Sequence, residues 1–313
     1  MKKAKVGYPG GCELGPRPIN MHIAALSKLG LCIHDRCGIL DCSLRDNFKG
    51  TTLNLSIPSV GVTENIMLAA CTADGTTKII NAAREPEIGD LADFLNKCGA
   101  NIRGAGERVI IIDGVSRLAG CRHRIIPDRI EAATFMAAAA VTGGRVRLNR
   151  VIPEHVEPVF SAFTEAGCEL NVRSESIFLT APGRLSRIKH IKTQVYPGFP
   201  TDAQAPIMAM ASVADGTSVF TETIFRDRYK HVNELSRMGA KITVQGSMAV
   251  VEGVPELHGA RVRAPDLRGG AALLIAALAA KSTGVIDGAC HIDRGYERIE
   301  RSLRMLGADV VRS

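Results

Sequence analysis

Apolar positions along this chain follow two periods in turn. Ile88, Leu91, Leu95 and Cys98 recur at helical spacing and fall on one face of an amphipathic helix, which Gly99 is placed to stop. "ANIRG" and "RVIIIDGV" follow as two β-forming runs and predict a hairpin. Just upstream, the Ala-rich stretch "ENIMLAACTA" predicts a helix ending at Gly75. "TTKIINAA" then predicts a strand, and "REPE" a charged loop before the amphipathic helix. The resulting unit reads αβαββ, or βαβαββ with the strand before it.

The same order of elements recurs. A Leu (once a Phe) four residues before a Gly occurs as Leu26…Gly30, Leu95…Gly99, Phe163…Gly167, Leu235…Gly239 and Leu303…Gly307, with Gly spacings of 69, 68, 72 and 68. A second marker, an Ala-rich helix followed by Gly and then β-formers, falls at Gly75, Gly144, Gly216 and Gly284, spaced 69, 72 and 68. Two independent markers on one period define a repeated unit. A longer echo pairs "GVSRLAGCRHRIIPDR" with "GVPELHGARVRAPDLR", each holding Pro-Asp and an Arg just before an Ala-rich helix. The 313 residues hold about 4.5 such units, and the chain begins inside one. A closed architecture of whole units is therefore expected to require roughly another hundred residues upstream.

Composition narrows the class. Hydrophobic residues make up 46% of the chain, aromatics only 4%, and Trp is absent, so Ala, Leu, Ile and Val must build the cores. The 39 basic and 32 acidic residues leave a net charge of +7, scattered without a Lys/Arg block. That distribution lacks the basic stripe and stacking aromatics of a nucleic-acid binder. Scattered arginines in loops suit a small anionic ligand instead. The longest apolar run, Ala271 to Ala280, has ten residues, against the roughly 18 needed to span a membrane, and the basic start has no apolar segment of a signal peptide behind it. Nine cysteines without a secreted framework predict reduced thiols in the cytoplasm.

The loops between each strand and the amphipathic helix after it concentrate reactive side chains: Cys12 and Arg17, Arg84 and Glu85, Glu154, Arg226 and Arg228, Asp293 and Arg294. Loops held by a rigid scaffold are where functional groups are expected. Arginines at helix starts oppose the helix dipole, so Arg84, Arg228 and Arg294 call for another partner, such as a bound anion. Asp202, after the Pro-rich "VYPGFPT", reads equally as an N-cap or as a general base on a stiff loop. "LCIHDRCGILDCSL" predicts a hairpin, and its Cys32, Cys37, Cys42 and His34 lack zinc-site spacing. His22 falls beside Met21 and Leu26 on a helix and reads as structural or as support behind a ligand-contacting residue. No metal and no organic cofactor is implied.

Eight segments in order, among them "PGGCELGPRP", "PSVGVTENIM", "PGFPTDAQ", "APDLRGGAAL" and "HIDRGYERIE", resemble the bacterial UDP-N-acetylglucosamine enolpyruvyl (1-carboxyvinyl) transferases over essentially the whole chain. The resemblance implies an α/β (α+β) fold of repeated βαβαββ units forming two similar domains, an inside-out α/β barrel. An incomplete first domain would then span residues 1–126 and a second domain of three units residues 127–313. It implies transfer of the enolpyruvyl group of phosphoenolpyruvate (PEP) to the sugar 3′-hydroxyl of UDP-N-acetylglucosamine, the first committed step towards peptidoglycan.

By resemblance Cys12 is the proton donor on a closing loop, Asp202 accepts the hydroxyl proton, and Arg17 and Arg294 hold PEP. Asp266 and Arg268 order the cleft. The uridine diphosphate lies along Arg17, Pro18, Ile19, Asn20 and Met21 and along Pro58, Ser59 and Val60, near Ile224. Gly61, Glu85, Arg129 and Arg228 complete the implied substrate contacts. The family's early Lys-Asn pair has no counterpart here. A second reading is therefore a non-catalytic remnant that binds UDP-sugar or pairs with a full-length copy. A third, resting on nine cysteines alone, is a redox-sensing thiol protein.

Overall fold

The computed structural model describes residues 2–8 and 19–312. Their contacts group into two units. One holds the described residues through Ile126 together with Val195–Pro197. The other holds Pro127–Gln194 and the chain from Gly198 onward.

The first unit opens with β1 (Lys2–Gly7), α1 (Asn20–Lys28) and the strands β2 (Cys32–Arg36) and β3 (Ile39–Leu44). β2 and β3 form the hairpin predicted for the cysteine-rich stretch, turning at Cys37 and Gly38, both at positive φ (54° and 85°), and β1 pairs with β3 on its other side. Then come β4 (Thr52–Asn54), α2 (Val60–Ala70), β5 (Thr76–Ile80), α3 (Pro86–Lys97), β6 (Asn101–Arg103) and β7 (Val109–Asp113), with sheet order β4-β5-β7-β6. The strand predicted for "TTKIINAA" stops at Ile80, because Asn81 turns the backbone to φ 59°. Ile66, Met67, Ile79, Ile88, Ile110 and Ile112 fill the core between helices and sheet.

The second unit runs α4 (Arg129–Val141), β8 (Arg145–Asn149), α5 (Pro153–Val156), α6 (Phe160–Glu165), β9 (Glu169–Arg173), β10 (Ser176–Thr180), β11 (His190–Lys192), α7 (Thr201–Ala211), β12 (Thr217–Thr221), α8 (His231–Arg237), β13 (Lys241–Gln245), β14 (Met248–Glu252), β15 (Arg261–Arg263), α9 (Leu267–Ala279), β16 (Val285–Asp287), a 3-10 turn over Ala289–Arg294, and α10 (Ile299–Met305). Its sheets are ordered β8-β10-β9, β11-β12-β14-β13 and β15-β16. The second repeats the first unit's β4-β5-β7-β6, parallel at the first pair and antiparallel at the next two. α4, α7 and α9 pack against one another around a core of small residues, with Met136, Ile207, Met208 and Leu273 fully buried.

The 69-residue rhythm has a backbone cause. Gly30, Gly99, Gly167, Gly239 and Gly307 all sit at φ between 90° and 106°. In each case the amide after the Gly donates to the carbonyl five residues back, as in Leu31 to Leu26, Ala100 to Leu95 and Ala240 to Leu235. This is the Schellman stop: the Leu of the marker supplies the carbonyl, and a left-handed residue follows the helix end. The longer echo has a cause too. Asp128 and Asp266 cap α4 and α9, each accepting from the second and third helical amides at 2.7–3.0 Å. Gly114 and Gly253, which open the two echoes, lie where a Cβ would run into the carbonyls of Ala73 and Ala214.

Candidate functional site

In the second unit, Asp202 is the second residue of α7, whose N-cap is Pro200, so its carboxylate caps nothing. It faces two arginines instead. Arg228 Nη2 donates to Oδ1 at 2.6 Å and Arg268 Nη2 to Oδ2 at 3.4 Å. The Arg228 and Arg268 side chains are only 4% and 11% exposed, whereas Asp202 is 42% exposed. Two cations are therefore buried behind a carboxylate that still reaches solvent. Partial burial works to raise the Asp202 pKa, but the charges of Arg268 and Arg228 and their hydrogen bonds outweigh it and hold the carboxyl below its usual range. Each oxygen keeps a lone pair for a hydroxyl donor.

Arg228 thus has an internal partner, a carboxylate of the protein. Its guanidinium also lies 5.6 Å from the Phe225 ring centroid. Arg268 is held from the far side by Tyr296, whose hydroxyl accepts from Nη1 at 3.0 Å and meets Thr134 Oγ1 at 2.8 Å. The Tyr296 ring stands 5.3 Å from the same guanidinium, and Tyr296 is 1% exposed. Asp266 is spent on capping α9 through the amides of Arg268 and Gly269, so it fixes the backbone from which Arg268 projects. That first turn is tight: a Cβ on Gly269 would lie 2.8 Å from Pro265 Cγ, and one on Gly270 2.6 Å from Ile292 Cγ1. Arg294 closes the 3-10 turn that packs on α9, and Arg129 is the first residue of α4. Ile224 is exposed in the turn after β12.

Besides Tyr296, Glu222 and His231 of this region were not marked by sequence reasoning. Glu222, 4% exposed, accepts four hydrogen bonds: from Thr193 Oγ1 (2.8 Å), Ile224 N (2.7 Å), Phe225 N (3.1 Å) and Thr201 Oγ1 (2.9 Å). It ties the residue before Asp202 to the turn carrying Ile224 and Phe225. His231 is fully buried beneath Arg228 and Asp266, both ring nitrogens unbonded, and burial pushes its pKa down to about 4. A Glu between two threonines in "TETIF" was the available signal for Glu222. Nothing local marked His231.

In the first unit, Ile19 precedes α1, Asn20 and Met21 begin it, and Ser56 Oγ reaches Met21 Sδ at 3.3 Å. Pro58, Ser59, Val60 and Gly61 open α2, whose N-cap Ser59 makes no side-chain cap, leaving the first amides without that acceptor. His22 bonds Asn65 across the two helices at 2.7 Å, the structural role expected of it. Glu85 precedes α3 with one carboxylate oxygen buried and unbonded, and Arg84 Nη2 donates to the Tyr196 carbonyl at 3.3 Å. Burial, then the charges of Glu87 and Glu85, push the nearby Glu64 carboxyl up. Of the residues expected to contact ligand here, Met21 also lines a hollow of about 160 Å³ with Lys28, Leu53 and Asn54. Cys12, Arg17 and Pro18 lie outside the described residues. Among the described residues no group of three or more His, Cys, Asp or Glu is arranged for a metal ion, and no helix is long and apolar enough to cross a membrane.

Comparison with known proteins bears on this geometry. Residues 1–303 match the family model of EPSP synthase (3-phosphoshikimate 1-carboxyvinyltransferase). UDP-N-acetylglucosamine 1-carboxyvinyltransferase 1 of Symbiobacterium thermophilum is 52% identical over 310 residues, covering 99% of this chain and 70% of the relative. The UDP-N-acetylglucosamine 1-carboxyvinyltransferase of Prochlorococcus marinus is 49% identical over 312 residues, 99% and 71% of the two chains. The fold is similar to that of the enolpyruvyl transferase NikO from Streptomyces tendae, with TM-score 0.84 at 22% identity over 98% of this chain and 73% of that one. It is also similar to EPSP synthase from Acinetobacter baumannii, with TM-score 0.68 at 21% identity over 96% and 73%.

Proposed function

This chain belongs to the EPSP synthase (3-phosphoshikimate 1-carboxyvinyltransferase) family of enolpyruvyl transferases, and from that premise we propose that it moves the enolpyruvyl group of PEP to the 3′-hydroxyl of UDP-N-acetylglucosamine, releasing phosphate. The acceptor is drawn from relatives of about half identical sequence that carry that activity in their names. Those names favour turnover over a binding-only remnant.

The observation that carries the reading is the Asp202 carboxylate, solvent-reaching and backed by two buried guanidiniums. Protonation of the PEP methylene makes C2 cationic. The sugar oxygen then forms its bond to C2 and becomes acidic as it does so, so a carboxylate of low pKa is basic enough to take the proton. The fixed arginines hold that carboxylate in one orientation and keep it charged. We assign Cys12 the methylene proton and Arg17 and Arg294 the charged groups of PEP. The α2 amides, uncapped by Ser59, suit the diphosphate. Loss of phosphate from C2, with one proton of the newly formed methyl group given up to the departing phosphate or to solvent, restores the C=C bond and gives the enolpyruvyl ether. Both reactants are cytoplasmic metabolites, and we place the protein there, in peptidoglycan synthesis and hence in cell-wall growth and division.

The test is phosphate release by the purified protein given PEP with either UDP-N-acetylglucosamine or 3-phosphoshikimate. Release with the nucleotide sugar alone is expected. Preference for 3-phosphoshikimate, or no release with either, would overturn the assignment.

A further inference from the structure

We propose that Cys98 and Cys121 form a reversible dithiol–disulfide site, oxidised by low-molecular-weight disulfides of the glutathione class. Enolpyruvyl transfer makes no use of either thiol. Cys98 follows the last residue of α3 and is 7% exposed, while Cys121 is partly exposed on the strap leaving β7. The Cys98 thiol donates to Cys121 Sγ at 3.3 Å, and Cys121 Sγ lies 3.8 Å from the Phe94 carbonyl. Closing to a disulfide bond of about 2.05 Å needs little more than ~1 Å of sulfur movement.

The strap is pinned on both sides of Cys121, so the meeting of the sulfurs is built into the unit. Before it, the Ala119 amide donates to the Cys98 carbonyl at 2.8 Å. After it, His123 Nε2 meets Asp90 Oδ1 at 2.8 Å, Lys97 Nζ meets His123 Nδ1 at 3.1 Å, and the His123 ring packs edge-on to Phe94 with centroids 5.7 Å apart. The accessible sulfur faces solvent and the buried one waits behind it. The hydrogen bond to Cys121, with burial and that sulfur's charge, pushes the Cys98 thiol up, so Cys98 keeps its proton until its partner has reacted. Cys71 also neighbours Cys98, but it is fully buried and burial drives its thiol up to about 11, which makes it a poor nucleophile.

The exchange balances in two steps. Cys121 thiolate attacks one sulfur of the small disulfide, forming a mixed disulfide and expelling one thiolate. Cys98 then gives up its proton and attacks Cys121 Sγ, breaking the mixed bond and expelling the second thiolate. The protein loses two electrons and two thiol protons, and the small disulfide is reduced to two thiols. The product staples the strap to the C-terminal end of α3.

The test is to treat the folded, full chain with oxidised glutathione, block remaining thiols, digest without reductant and map the peptides by mass spectrometry. A Cys98–Cys121-linked peptide, lost on dithiothreitol treatment and missing from urea-unfolded protein treated alike, is the expected result. Cys98→Ser should arrest Cys121 as its glutathione adduct, and Cys121→Ser should leave Cys98 unmodified. The proposal is overturned if wild-type protein holds a stable Cys121 adduct, links Cys71 to Cys98, or is glutathionylated at exposed Cys32, Cys37 or Cys290 with no Cys98–Cys121 link.

Discussion

Replacing Asp202 by Asn keeps the shape of the side chain and removes its charge. Two guanidiniums, 4% and 11% exposed, then lack their shared anion. Breaking a fully buried pair costs about 3–5 kcal/mol. Asp202 is 42% exposed, so solvent screens part of that, and about 1–3 kcal/mol at neutral pH is the expected loss of stability. The sign of the pH dependence follows from the lowered pKa. A carboxyl whose folded value is depressed adds stability above its unfolded value, near 3.9, and loses it as pH falls through the folded value. The gap between wild type and Asp202→Asn should therefore be widest at pH 7, narrow once pH falls below about 3.9, where the unfolded chain begins to take up the proton, and close only below the depressed folded value. Urea unfolding of both proteins from pH 7 to pH 3 measures it, and comparing the pair cancels titrations they share. On the proposed mechanism, turnover should fall about 10²- to 10⁴-fold, or roughly 3–5 kcal/mol of barrier. A variant that turns over within about threefold of wild type, or a stability gap unchanged at pH 3, would refute the reasoning.

Three further outcomes are expected. His231, pushed to about 4, makes the wild type lose up to about 1.4 kcal/mol per pH unit as pH falls from about 6.5 towards 4, because the unfolded chain takes up a proton that the buried ring refuses; His231→Leu should flatten that part of the urea-unfolding profile. Gly239→Ala should cost about 1–2 kcal/mol in the same measurement, and from backbone strain alone, since φ is 95° while the new Cβ meets only an ordinary 3.5 Å contact with His258. Fosfomycin, an epoxide resembling PEP, should alkylate Cys12, and intact-mass analysis of Cys12→Ala should find no adduct.

The candidate site was legible in parts. Asp202, Arg268 and Arg294 stood out because charges beside Pro- and Gly-rich helix starts are unusual, and resemblance supplied their roles. Their neighbours could not be read that way. Arg228 looked like an unpaired cation at a helix start because its carboxylate is 26 residues away. Tyr296 sat unremarked in a charged motif because its hydroxyl partner, Thr134, lies 162 residues upstream. Glu222 looked like one more surface acid until Thr193, Thr201 and two amides converged on it.

What the chain determined by itself is the rhythm of the fold. The left-handed glycines, the carbonyls they release and the Asp caps of α4 and α9 act over five residues or fewer, and such chemistry is written in local sequence. Only the tertiary structure decided which charge meets which. The packing of α4, α7 and α9 sets the surroundings of Asp202, and the strap along α3 brings Cys121 to Cys98. Those distances arise from buried contacts between remote segments, which leave no period to read.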